Sequence, residues 1–131
     1  KELIESIPSK SVITDVGSVK KPILKVWQNL HPNFVPSHPM AGTNEAGVHS
    51  GVNGLFHGKP WVATPNKKTN PAAIEKIKEI AISLGSDWII TDADLHDEAV
   101  ALISHMPIFV SAALLKTAIS ERHKPLIISL N

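Results

Sequence analysis

Residues Trp61 to Thr91 read WVATPNKKTNPAAIEKIKEIAISLGSDWIIT. Trp61-Val62-Ala63-Thr64-Pro65 and Asp87-Trp88-Ile89-Ile90-Thr91 are short, strand-like runs bounded by turn residues. Between them Asn70 caps a helix and Pro71 takes its first position. Ile74, Ile77, Ile80, Ala81 and Leu84 form its buried stripe, and Gly85 ends it. Strand, helix and strand at this spacing imply a βαβ unit, a mostly parallel sheet and an α/β fold.

The same alternation extends upstream. Leu3, Ile4 and Ile7 suggest the end of a helix stopped at Pro8. Ser11-Val12-Ile13-Thr14-Asp15-Val16 is a β-branched strand punctuated by Gly17. Ser18 can cap the next helix, whose stripe is Ile23, Leu24, Val26, Trp27 and Leu30, ending near His31-Pro32. Phe34-Val35-Pro36-Ser37 is a second strand leading into His38. From Gly42 to Gly58 the chain is rich in Gly, Asn, Ser and His and reads as a long irregular loop with room for one helical turn.

Downstream, Asp92 to about His123 is predicted as one long helix. It is apolar nearly all round: Val100, Leu102, Ile103, Met106, Phe109, Leu114 and Ile119 lie on different faces. Ser104, His105, Pro107 and Ser111 interrupt the run, leaving fewer than the about 20 apolar residues of a membrane span. The reading is a buried interdomain or dimer helix, with no membrane partner. Pro107 removes one hydrogen bond and presses on the Ile103 carbonyl, so a kink is expected beside Ser104 and His105.

With 131 residues, 43% of them hydrophobic, the chain can bury one core, so one domain or a domain and a piece of another is expected. A net charge of +1 with no basic run argues against nucleic acid as a partner; Lys67-Lys68 reads as a solvated turn. The absence of cysteine excludes disulfide and thiolate chemistry and fits a reducing, cytoplasmic setting. The charged start Lys1-Glu2-Leu3-Ile4-Glu5 has no signal-peptide pattern and no initiator Met, and it reads as the middle of a longer protein. The chain holds no repeats and no low-complexity tract.

Ligands of open α/β sheets bind at strand ends. Two such ends carry candidate chemistry: Thr14-Asp15-Val16-Gly17-Ser18-Val19-Lys20 and Ser37-His38-Pro39-Met40-Ala41-Gly42. An imidazole with an ordinary pKa near about 6.5 suits a general base, so His38 is the candidate base, against the plainer alternative of a satisfied polar residue. Ser18 is a candidate hydroxyl group, against the role of helix cap. His96 and His105 are nine positions apart, about 180° round a helix of about 3.6 residues per turn. His31, His49 and His57 follow no ligand spacing, so no metal site is expected. Asp94, Asp97 and Glu98 complement the dipole at the start of the long helix.

Three motifs in order, Thr14-Asp15-Val16-Gly17-Ser18-Val19-Lys20, His38-Pro39-Met40-Ala41-Gly42-Thr43, and Asp94-Leu95-His96-Asp97 with Ser104-His105-Met106-Pro107, resemble the prephenate/arogenate dehydrogenases of tyrosine biosynthesis, most of all the cyanobacterial arogenate type. The resemblance runs from Ser11 to about Lys124. It implies the C-terminal part of a Rossmann-like nucleotide-binding domain over 1–91, lacking its first βαβ unit. The first long helix of an all-α dimerisation domain would follow over 92–131, with a homodimer as the full-length assembly. It further implies oxidative decarboxylation of a cyclohexadienol acid. His38 would be the base, and Gly17 and Ser18 the cofactor-binding residues. Ser18 would also orient His38, Ser104 would face the substrate, and His96 would be structural.

Two positions depart from prephenate-preferring members: Asn44 replaces an acidic residue, and Ile108 replaces a second histidine. Both resemble the arogenate type, so arogenate is the expected substrate and NADP the expected cofactor, with NAD as the alternative. The GxGxxG fingerprint is absent from the 131 residues. So is an arginine-bearing segment for the substrate carboxylate, and the tail Pro125–Asn131 does not continue the family pattern. The alternative reading is a non-catalytic remnant, or an interaction module that uses the apolar helix.

Overall fold

The computed structural model describes residues 2–43, 45 and 47–119. Asn44, the end of the long helix near His123, Lys124 and the tail 125–131 lie outside the described residues. The chain divides into two compact units, Lys1–Asp97 and Glu98–Asn131.

The first unit holds helix α1 (Glu2–Glu5), strand β1 (Ile13–Thr14), helix α2 (Lys21–Trp27), strands β2 (Phe34–Val35), β3 (Ser37–Pro39) and β4 (Pro60–Ala63), helix α3 (Pro71–Ser83), strand β5 (Asp87–Ile90) and the start of helix α4 (Ala93–Val100). The strand–helix–strand unit expected from residues 61–91 is present: β4 and β5 are parallel, with Trp61 opposite Trp88 and α3 between them in sequence. β1 and β2 also pair in parallel, Ile13 opposite Phe34. The exception is β3, which lies antiparallel to β4 with His38 opposite Val62. Among the described residues no crossover helix separates β3 from β4. The described residues of the Gly42–Gly58 segment form an irregular loop with a 3₁₀ turn at Val48–Ser50, and such a return permits antiparallel pairing.

The expected strand Phe34–Ser37 is two strands broken at Pro36. Having no N–H, Pro36 contributes only its carbonyl, which accepts from Thr64 N at 2.9 Å. His38 therefore stands inside a strand rather than after one.

Helix α3 begins and ends as its sequence dictates. The Asn70 side chain accepts from Ala72 N at 3.0 Å. At the other end Gly85 takes φ +79°, Gly85 N donates to Ile82 O at 2.9 Å and Ser86 N to Ala81 O at 3.0 Å. A Cβ on Gly85 would also lie 2.9 Å from His57 Cδ2, so both conformation and space demand glycine here. The buried face is Ala73, Ile77 and Ala81, packed with Val35, Trp61 and Ala63 and flanked by Phe56, Ile74 and Trp88. Ile80 and Leu84, expected in the stripe, are exposed. The face in contact runs through positions four apart (73, 77 and 81), two of them alanines that let the helix lie close to the sheet. The α2 stripe is corrected further: α2 has no fully buried residue, and Val26 and Leu30 are exposed.

In the second unit, α4 continues through a π-helical turn, Ala101–His105, into helix α5 (Met106–Ala118). Met106 N reaches back to Ala101 O, one residue further than in an α-helix. The disturbance expected from Pro107 thus takes the form of a widened turn just before it, and Ser104 and His105 lie within that turn, half-buried. Val100 is buried as expected, at 2% exposure, but from Leu102 onward the apolar side chains expected to be buried are exposed instead, Phe109 by 75% and Leu114 by 66%. By length and composition Ala93–Ala118 is long and apolar enough to cross a membrane, with a mean hydropathy of 1.7, so the polar interruptions do not exclude a span on those grounds.

Candidate active site

The site is built on the ends of β1 and β3. The Asp15 side chain turns back so that Oδ2 accepts from Gly17 N at 3.0 Å, while Oδ1 accepts from Ser37 N at 3.1 Å. The Lys20 side chain is fully buried; its Nζ forms an ion pair with Asp15 and donates to Ser37 O at 2.8 Å. Ser37 Oγ donates to Asp15 O at 3.1 Å, accepts from Trp61 Nε1 at 3.0 Å and lies 2.8 Å from Thr14 Oγ1. This knot clamps the β1 turn onto β3. The turn is closely packed at Gly17, where a Cβ would lie 2.9 Å from Ile23 Cδ1 and 3.2 Å from Asp15 Oδ2.

Side chains alternate along a strand. With Ser37 fully buried in the knot, His38 is the next residue of β3 and is half-buried. His38 Nδ1 lies 3.0 Å from His96 Nε2, the two rings meeting edge to face at 75°. His96 is 3% exposed, and its Nδ1 lies 2.8 Å from Asp97 Oδ1. Asp97 in turn accepts from Lys20 N at 2.7 Å and from Lys21 N at 2.9 Å, at the N-terminus of α2. Burial opposes ionisation of Asp97, but the two backbone donors and the His96 ring outweigh it and hold the carboxyl below its ordinary range.

These contacts revise the expected roles. Ser18 does not cap α2; the N-cap residue is Lys20, and the Asp97 carboxylate supplies the cap from 76 residues further along the chain. Ser18 is exposed, and the group that His38 Nδ1 meets at 3.0 Å is His96 Nε2. His96, expected to be structural, and Asp97, expected only to complement a helix dipole, join His38 in one hydrogen-bonded chain. Asp15 and Lys20 stood within a motif singled out from the sequence but carried no role there; the signal was a lysine five residues after an aspartate at a strand end. Ser104 lies in the second unit. Among the described residues no three His, Cys, Asp or Glu side chains converge as a metal-binding group.

Residues 1–90 match the family described as prephenate dehydrogenase, nucleotide-binding domain, and residues 92–130 match prephenate dehydrogenase, dimerization domain. The chain belongs to the prephenate dehydrogenase family. It is 33% identical over 125 residues to a prephenate dehydrogenase of Bacillus subtilis (strain 168), a match covering 92% of this chain and 34% of that protein. Among solved structures it is similar to prephenate dehydrogenase from Aquifex aeolicus in complex with hydroxyphenyl propionate and NAD+ (TM-score 0.85, 33% identity, 91% of this chain and 42% of that one). It is similar also to Synechocystis arogenate dehydrogenase (TM-score 0.80, 34% identity, 99% of this chain and 47% of that one). The chain spans about a third of the length of its curated relatives.

The family match over residues 1–90 is to a nucleotide-binding domain, and the strand end after β1 is open to a ligand. Gly17 and the exposed Ser18 sit where a parallel strand ends, the usual ligand edge of such a sheet, with the Gly17 backbone held in place by the Asp15 turn. No phosphate-cradling glycine fingerprint occurs in these 131 residues.

Proposed function

We propose that this chain carries the catalytic base of a nicotinamide-dependent oxidoreductase of tyrosine biosynthesis, an arogenate/prephenate dehydrogenase with arogenate preferred and NADP as cofactor. The observation that carries the reading is His38, half-buried on β3, with its Nδ1 hydrogen-bonded to His96. His38 takes the proton from the ring hydroxyl of the cyclohexadienol acid as hydride leaves the same carbon. The ring carboxylate then departs as carbon dioxide and the ring becomes aromatic. When bound, the nicotinamide supplies the hydride acceptor. Gly17 and Ser18 would hold it, with the Ser18 hydroxyl hydrogen-bonding near the nicotinamide and the substrate hydroxyl. Ser104 would contact the substrate.

Support for arogenate comes from Ile108, where prephenate-preferring members tend to carry a histidine, and from the similarity to the Synechocystis arogenate enzyme. We propose the domain division at 91/92, where β5 has ended and α4 begins, with 1–91 as nucleotide-binding domain and 92–131 as the start of the dimerisation domain. On this reading the enzyme is a cytoplasmic homodimer, and the apolar face exposed on α5 meets its twin.

The test is His38→Ala in the longest native protein that contains this chain, assayed with arogenate and prephenate and with NADP and NAD. Turnover should fall about 10²- to 10⁴-fold, the range for loss of a positioned base. Near-normal turnover removes His38 as the base, and faster oxidation of prephenate or with NAD overturns the specificity.

A further inference from the structure

We propose that His96 and Asp97 are positioning residues that fix the tautomer of His38, so that Nε2 is the ring nitrogen that accepts a proton. This rests on the reading of His38 as a base and goes beyond it by assigning the proton on each ring. The assignment follows from counting donors. An ionised carboxylate only accepts, so the 2.8 Å contact between Asp97 Oδ1 and His96 Nδ1 requires a proton on Nδ1. Neutral imidazole carries one N–H, so His96 Nε2 then holds a lone pair. That lone pair faces His38 Nδ1 at 3.0 Å, and the contact is a hydrogen bond only if His38 Nδ1 donates. His38 therefore keeps its proton on Nδ1 and its basic lone pair on Nε2.

The reverse order is disfavoured by the anchor. Lys20 N and Lys21 N donate to both oxygens of Asp97, which keeps the carboxylate ionised and unable to donate. A proton on His96 Nε2 would turn that ring into a donor toward His38 Nδ1. His38 would then carry its own proton on Nε2, where it cannot act as a base. The same chain serves after proton transfer, because imidazolium at His38 still donates from Nδ1 to His96, and Asp97 lies behind it with opposite charge.

The experiment has two arms. Long-range ¹H–¹⁵N correlation spectra of the ¹⁵N-labelled chain, recorded at about pH 8 where ordinary histidines are neutral, read the tautomer of His38 without any turnover. Wild type should show a protonated Nδ1 and an unprotonated Nε2. His96→Gln should preserve this state, since the amide oxygen can accept from His38 while the amide nitrogen donates to Asp97. His96→Leu should release His38 toward the Nε2–H form that a free imidazole side chain favours. In the second arm, kinetics of the native protein containing these changes should show kcat about ten-fold or more lower for His96→Leu, with KM little changed, and within about three-fold of wild type for His96→Gln.

A wild-type spectrum with Nε2 protonated overturns the proposal. So does an unaltered tautomer in His96→Leu, or a loss of kcat that His96→Gln does not restore. If His96→Leu fails to fold, the wild-type and His96→Gln spectra decide alone. Failure of the base reading is separable: it appears as normal turnover in His38→Ala, whatever the tautomer.

Discussion

Two buried polar systems adjoin in the first unit, and they differ in what they reach. The knot of Asp15, Lys20, Ser37, Thr14 and Trp61 closes on itself: each donor finds an acceptor within the group or on its own strands. The chain from Asp97 through His96 to His38 links the N-terminus of α2 to a half-buried imidazole. They share Lys20, whose Nζ belongs to the knot and whose backbone N–H belongs to the chain. They also meet at consecutive residues of β3, Ser37 and His38. A closed network can only hold a shape. A chain that reaches a titratable group can also set which proton that group carries.

If the knot is purely structural, breaking it should destabilise the protein without changing His38. Lys20→Met strips the partner from Asp15 and a donor from Ser37 O in a buried place. Removing one member of such a pair typically costs about 3–5 kcal/mol, read as a lower urea midpoint. Adding Asp15→Asn should recover part of that loss. A change below about 1 kcal/mol would mean that water replaces the ammonium and the knot is not closed. Ser37→Ala is expected to cost less, about 1–3 kcal/mol, because it leaves Trp61 Nε1 without its acceptor. In folded Ser37→Ala protein the His38 tautomer should be unchanged; a changed tautomer would show that the two systems are one.

The fold was legible in the sequence where local chemistry and periodicity agreed. Asn70, Pro71 and Gly85 bracket α3 because capping and left-handed backbone are decided by the residue itself. The antiparallel β3 was not legible, since nothing local in Ser37-His38-Pro39 states which way its neighbour runs. Nor was the outward face of the long helix: composition says how apolar a segment is, not whether anything covers it. The site divides likewise. His38 stood out by its place at a strand end, with Pro39 and Gly42 behind it. His96 and Asp97 were visible only as a histidine and an acid near a helix start, because their meaning lies in contacts across 58 and 77 residues of chain.

The smallest expected effect tests the Asp97 end of the chain that reaches His38. The Asp97 carboxyl has its folded-state pKa held below the ordinary value near about 3.9. A depressed carboxyl binds its proton more readily in the unfolded chain, so its stabilising contribution is complete above the unfolded value. It is lost as pH falls through the folded one. Asp97→Ala should therefore cost about 0.5–2 kcal/mol at neutral pH, the usual worth of a helix cap. That difference should narrow on acidification below about pH 4, because wild type then loses what the variant lacks already. Urea midpoints of the two proteins across that range supply the measurement. A constant difference would show that Asp97 acts by packing and not by charge, and a carboxyl that is not ionised could not hold the His96 proton on Nδ1.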